Sequence, residues 1–356
     1  MHNHKDRPMD RLTFFDAHCD TILKILDEGA DFEYGSDGGL HVTLDGMRTA
    51  GMGAQVFACY VLEARNPGRS RERGLQVVAA VHELCRTYAD DLAVWEGGPL
   101  PLPDSPERMA AIIALEGADP LEGDPEAIAD FHRQGVRLVT LAWDDNPFCG
   151  TTFGAGGGLT RRGEELVQFC EELGVMVDVS HASDIAFWDV CRVASRPFVA
   201  SHSNCRAVCG SPRNLTDEMI RALAERGGVM GLNLCSGFLS QSYYNQEAPA
   251  REAFWAAVRS GAKSIEEAHE ESARATASIP RPPLDVVAAH VKHAINVGGE
   301  ECIGLGGDLD GIESMPAGIE GVADYPKIAE TLLGAGLTER QVERVCWSNF
   351  ARAMQG

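Results

Sequence analysis

The chain has 356 residues, 44% of them hydrophobic, which is enough for one large buried core or two ordinary ones. Lys and Arg number 31 against 53 Asp and Glu, a formal charge of −22, and such a surface repels phosphate backbones and anionic lipid, arguing against nucleic acid and membrane partners. The start MHNHKDRPMDRLTFF lacks the apolar core of an export signal, no run nears the roughly 20 apolar residues of a bilayer span, and the NFARAMQG end lacks the tail of a lipid-anchor signal, so a cytoplasmic location is expected.

Residues 1–11 read as a flexible tail, and any metal on His2 and His4 as adventitious. Short apolar, β-branched runs follow at Thr13–Asp20, Ala54–Val61, Ala111–Glu116, Arg137–Trp143, Val175–His181, Pro197–His202, Val229–Leu234 and Ile303–Asp308. They are nearly continuous in apolar residues, the pattern of strands covered on both faces. Amphipathic segments lie between most of them. In EELVQFCEELG, Leu166, Phe169, Cys170 and Leu173 recur at helical spacing and Gly174 follows as a stop. DEMIRALAERGG repeats that logic, with Asn214 or Thr216 as the N-cap and Gly227 at the end.

Strand then helix, about eight times over, predicts an α/β (β/α)8 TIM-type barrel. An open doubly wound sheet is the alternative, weakened because no G-x-G-x-x-G stands at the first strand–helix turn. The rhythm breaks from Cys235 to about Pro283, where FLSQSYYNQEAPAREAFWAAV and SIEEAHEESARA read as helices. The expectation is a single domain over 1–356 with a helical insertion at 235–283, between strands seven and eight, near the catalytic mouth. Eleven cysteines without a C-x-x-C pair read as reduced, mostly buried thiols, and Cys205 and Cys209 in NCRAVC as thiols rather than a zinc knuckle.

In such a barrel the C-terminal ends of the strands face the active site. Those ends carry His18 and Asp20, then Glu116, His181, His202 and Asp308. Residues i and i+2 of a strand share a face, so His18 and Asp20 can converge while Cys19 points away. Each alone has an ordinary reading as a packed histidine or a capping carboxylate; three histidines and three carboxylates at one end of one alternation do not. Histidine and carboxylate donors without thiolate suit zinc, with manganese or cobalt as substitutes. Two ions about 3.5–4 Å apart would use the set better than one. The expected assignment is His18, Asp20 and Glu116 on one ion, and Glu116, His181 and His202 on the other. His41, His82, His132, His269, His290 and His293 read as surface or packing residues.

The ordered motifs DAHCDT, ALEGAD, DVSHAS, SHSNCRAVCGSPRNLTDE and GLGGDLDG resemble the membrane (renal) dipeptidase family of zinc peptidases, in a bacterial, non-anchored form. The resemblance runs on to LTERQVERVCWSNFARA near the C-terminus. It implies a binuclear zinc barrel in which His18, Asp20, Glu116, His181 and His202 hold the metals and Asp308 is the acid/base. It further implies that Arg213, in SPRN, holds the substrate carboxylate, and that the protein is a homodimer cutting free L-L and L-D dipeptides with a metal-bridging hydroxide. One position departs: many members carry a substrate-contacting histidine where LVTLAWDDN has Trp143. An indole N–H donates one hydrogen bond but cannot accept or be protonated. Two other functions use the same residues. One is an amidohydrolase-type barrel acting on a lactone, cyclic amide or phosphoester; the other is a catalytically impaired metal-binding barrel.

Overall fold

The computed structural model describes residues 12–35, 39–100, 108–260 and 262–355. The tail with His2 and His4 lies outside the described residues. The strands are β1 (Phe14–Cys19), β2 (Met52–Tyr60), β3 (Leu92–Val94), β4 (Met109–Glu116), β5 (Val136–Thr140), β6 (Met176–Asp178), β7 (Met230–Leu232) and β8 (Ile303–Leu305). All strand pairings are parallel, in the order β6-β5-β4-β2-β1-β8-β7, with β3 added beside β4. Strand β3 was not anticipated: its three residues are too few to stand out in DDLAVWEGG.

The expected strand at 197–202 is not a regular strand, yet it closes the ring. Val179 N–H donates to Val199 O at 2.9 Å and Val199 N–H to Val177 O at 2.9 Å. On the other side Ala200 N–H reaches Val229 O at 3.0 Å, and Gly231 N–H reaches Ala200 O at 2.7 Å. This stretch is the eighth stave of the (β/α)8 barrel. Its ladder stops because Ser201 N–H is taken by the Asp178 carboxylate at 2.8 Å. The Ser201 carbonyl is pressed between Gly231 and Gly306, where a Cβ on either would sit 1.8 Å from its oxygen.

Strand alternation separates two cores. Phe15, Ala17, Ala54, Val56, Ala110, Ile112 and Ala114 point into the barrel, where Phe350 stacks on Phe15 at 5.4 Å. Phe14, Phe57, Cys59, Ile113 and Leu115 face the surrounding helices. By strict alternation Cys19, not His18, would follow Phe15 and Ala17 inward. The β1–β2 register shifts between Asp16 and Cys19, and Cys19 packs with the outer core. This bulge re-aims His18, as bulges beside active sites do. The buried Asp16 carboxylate holds it, accepting His18 N–H and Gly307 N–H at 3.0 Å each and the Tyr325 hydroxyl.

The helices before β7 are α1 (Thr21–Glu28), α2 (Leu44–Ala50), α3 (Ser70–Thr87), α4 (Ile128–Arg133), α5 (Arg161–Leu173), α6 (Asp184–Val193) and α7 (Asp217–Glu225). Thr160 caps α5, and Gly174 ends it in the left-handed conformation. Thr216 caps α7; Asn214 is instead spent on the carbonyls of Cys209 and Phe238. After β7 come α8 (Ser236–Leu239), α9 (Gln241–Ser260) and α10 (Ile265–Thr276), then α11 (Asp285–Gly298). Ser264 and Glu267 form a capping box on α10. Phe254 and Ala268 bury against Leu62, which seats α9 and α10 on the loop after β2. Among the described residues no helix is long and apolar enough to cross a membrane.

Candidate metal centre

All six strand-end residues converge at one end of the barrel. His18 Nε2 lies 3.7 Å from Asp20 Oδ2, 3.4 Å from Glu116 Oε2 and 3.9 Å from Asp308 Oδ1. His181 Nε2 lies 3.3 Å from Glu116 Oε1 and 2.9 Å from His202 Nε2, which is itself 3.8 Å from Glu116 Oε1. Glu116 thus turns one oxygen to His18 and the other to the His181–His202 pair. Among the described residues three groups of donor atoms are close enough for a shared ion: His18, Asp20 and Glu116; Glu116, His181 and His202; and His18, His202 and Asp308. The first two coincide with the sets expected from sequence.

The electrostatics of the bare cluster call for positive charge. Burial raises the Asp20 carboxyl to about 8, with the Glu116 charge adding to it. Burial likewise lifts Asp308 to about 6. For Glu116 burial is outweighed by His18 and His181, which hold it below the usual carboxylate range. Burial opposes protonation of His18, but Glu116 and Asp20 raise it well above the ordinary histidine value. Burial pushes His181 down to about 4 and His202 well below its ordinary value. Both ring nitrogens of His18 are buried without a hydrogen-bond partner among the described residues. Leaving such groups unsatisfied is costly, and a cation beside Nε2 would complete one of them. The residues therefore fit a metal.

Buried polar side chains aim the cluster. Ser201 Oγ donates its one proton to Asp178 Oδ2 at 2.6 Å, so at 2.7 Å it must accept from His202 Nδ1. That fixes the tautomer and turns the bare His202 Nε2 toward Glu116. Asp178 also accepts Ser180 N–H and the Thr140 hydroxyl. Asn233 donates to Asp308 Oδ2 at 2.8 Å, leaving Oδ1 to face His18. His181 (φ 67°) and Asp308 (φ 60°) both hold the left-handed conformation, unusual for residues other than glycine. Sequence reading passed over Asp16, Asp178, Ser201 and Asn233. An aspartate inside an apolar strand, as in TFFDAH and VMVDVS, was the available signal, because a buried carboxylate must find donors.

Arg213 is 3% exposed and donates to Ser203 Oγ at 2.7 Å, while its Nε and Nη2 are buried without partners. It shares a cleft with His181. Trp143 is partly buried, its ring 6.1 Å from that of His181. His290 lies away from the cluster and is a packing residue. Its Nδ1 accepts Cys205 N–H and its Nε2 donates to Leu239 O. The eleven cysteines are free thiols, ten of them buried. Among the described residues neither Cys205 nor Cys209 belongs to a group that could hold a metal.

The family model described as membrane dipeptidase (peptidase family M19) matches residues 4–356. The uncharacterized protein in the pqqA 5′ region of Klebsiella pneumoniae is 30% identical over 258 residues, covering 70% of this chain and 83% of that one. Dipeptidase 3 of Mus musculus is 26% identical over 329 residues, covering 88% of this chain and 57% of its own length, so the chain spans little more than half of that relative. A metallo peptidase from Rhodobacter sphaeroides, solved with a phosphinate mimic of L-Ala-D-Ala, superposes with a TM-score of 0.79 at 24% identity over 97% and 99% of the two chains. The probable dipeptidase PvdM of Pseudomonas aeruginosa gives a TM-score of 0.82 at 19% identity over 98% and 96%. These two likenesses establish the shared fold.

Proposed function

The chain belongs to the membrane dipeptidase family of peptidases, and from that premise we propose that it is a zinc-dependent hydrolase of free dipeptides, L-L and L-D alike. The observation that carries this reading is Glu116, whose two oxygens face two separate groups of donors. His18, Asp20 and Glu116 would hold one ion, and Glu116, His181 and His202 the other. Bound zinc would supply a Lewis acid for the scissile carbonyl and water acidified to near neutrality.

The protein's own groups do the rest. Arg213 offers two buried donors, Nε and Nη2, that lack a hydrogen-bond partner among the described residues and lie close to His181, a fork that suits the free carboxylate of a dipeptide. A longer peptide places no carboxylate there, which limits the substrate to two residues. Asp308 Oδ1, held toward the cluster by Asn233, takes a proton from the attacking water and returns it to the leaving amine. Ser201 and Asp178 keep His202 in the tautomer that presents a lone pair. The L-Ala-D-Ala mimic in the Rhodobacter sphaeroides relative supports acceptance of a D-residue at the second position. A homodimer belongs to this reading through the family resemblance.

Hydrolysis of L-Ala-L-Ala with and without a chelator tests the proposal. Turnover lost on chelation and restored by zinc is expected. Full turnover after removal of the metal would refute it.

A further inference from the structure

Beside His181 the barrel mouth carries a continuous wall of aromatic rings. Trp143 meets Tyr60 edge-on at 5.3 Å and Trp255 at 6.0 Å. Trp255 in turn contacts Phe153 at 5.4 Å and Phe254 at 5.0 Å. Phe254 is buried with Leu62 and Ala268, so the wall is backed by a small core rather than standing loose in solvent. Trp143 and Trp255 themselves keep part of their surface open. The Tyr60 hydroxyl is buried there without a hydrogen-bond partner. A partly open set of rings backed by a small core is what an apolar side chain would cover.

Position in the barrel says which end of a substrate meets it. Tyr60 ends β2 and Trp143 follows β5, so the two flank the β4 strand that ends in Glu116. Around the barrel β5 is followed by β6, which leads to His181, and then by the stave that ends in His202; Arg213 comes from the loop after that stave, hydrogen-bonded to Ser203, two staves on from Trp143. A dipeptide with its carboxylate on Arg213 spans the cluster and turns its N-terminal residue toward the rings. We propose that this wall selects dipeptides whose N-terminal side chain is aromatic or large and apolar. The inference rests on the dipeptide reading of the site, with Trp143 and Trp255 as its specificity-determining residues.

The test is calorimetric titration of the zinc-loaded protein with two non-hydrolysable phosphinate dipeptide mimics, one with a benzyl and one with a methyl group as the N-terminal side chain. The benzyl mimic is expected to bind at least about tenfold more tightly, since even one methylene in an apolar pocket is worth roughly tenfold or more. Trp255→Ala should shrink that ratio to within about threefold, and Trp143→His should reduce it while preserving an aromatic ring. Equal binding of the two mimics by the wild type overturns the proposal, as does a ratio unmoved in both variants. Turnover of Phe-Ala and Ala-Ala is measured alongside. Selective binding without turnover supports the wall and removes the dipeptidase reading; turnover without selectivity removes the wall alone.

Discussion

Replacing Arg213 by methionine keeps most of the apolar stem and removes the guanidinium. In the wild type Arg213 is 3% exposed; among the described residues its guanidinium has one hydrogen-bond partner, Ser203 Oγ at 2.7 Å, and faces the Phe238 ring at 5.9 Å, with Nε and Nη2 unsatisfied. Burial already disfavours its charged form. If the fork closes on a substrate carboxylate, truncation leaves that carboxylate buried and unpaired. Losing one partner of a buried, hydrogen-bonded charge pair costs about 2–5 kcal/mol. In kcat/KM that is roughly 30- to 5,000-fold, at about 1.4 kcal/mol per tenfold. The assay compares L-Ala-L-Ala with its C-terminal amide in wild type and Arg213→Met. The wild type should prefer the free acid by that margin, and the variant should treat the two alike, mainly through loss of rate on the acid. Arg213→Lys should fall between them, because an ammonium is a point charge without the planar fork. An acid preference that survives in Arg213→Met would show that the carboxylate is held elsewhere.

Asp178→Asn should weaken zinc binding by about 10–100-fold, as loss of a residue that orients a metal ligand does, read by competition with a chelating dye; unchanged affinity would mean that the Ser201–Asp178 pair does not set the His202 tautomer. Gly306→Ala should destabilise the fold by about 3 kcal/mol or more, because the new Cβ would meet the Ser201 carbonyl at 1.8 Å; a thermal midpoint equal to the wild type would contradict that packing. Burial pushes His290 down to about 4, below its unfolded value near 6.5. The unfolded chain then binds the extra proton first, so the stability of the neutral ring is full above pH 6.5 and lost as pH falls toward 4. The loss is about 3 kcal/mol. Denaturant midpoints at pH 7 and pH 5 should converge in His290→Gln; an unchanged difference would place the pH dependence in other groups.

What could be read from the residues, and what could not, divides along physical lines. His18, Glu116, His181, His202 and Asp308 were legible because all of them end apolar runs at the same end of one alternation; singly each has an ordinary reading, and only the set does not. Simple alternation from Phe15 and Ala17 would turn Cys19 inward, and His18 away from the site. The bulge between Asp16 and Cys19 resets the phase, and it depends on Gly307 and Tyr325, 291 and 309 residues from Asp16 in sequence. The stave at 197–202 looked like a strand because Phe198, Val199 and Ala200 are apolar and buried. Its ladder is cut by the Asp178 side chain of another stave, which the local run at 197–202 does not show. Asn214 and Thr216 were equal candidates for the α7 cap until the fold drew Asn214 to two carbonyls. The partners of Asp178 and Asn233 lie on other staves, so their roles appear only once the barrel is closed.

The most direct measurement is zinc content and dipeptide hydrolysis on the same sample, before and after removal of the metal. Two zinc ions per chain are expected, with turnover of L-Ala-L-Ala and L-Ala-D-Ala that disappears with them and recovers on zinc addition. Two bound zinc ions with no hydrolysis of either dipeptide would contradict the dipeptidase reading.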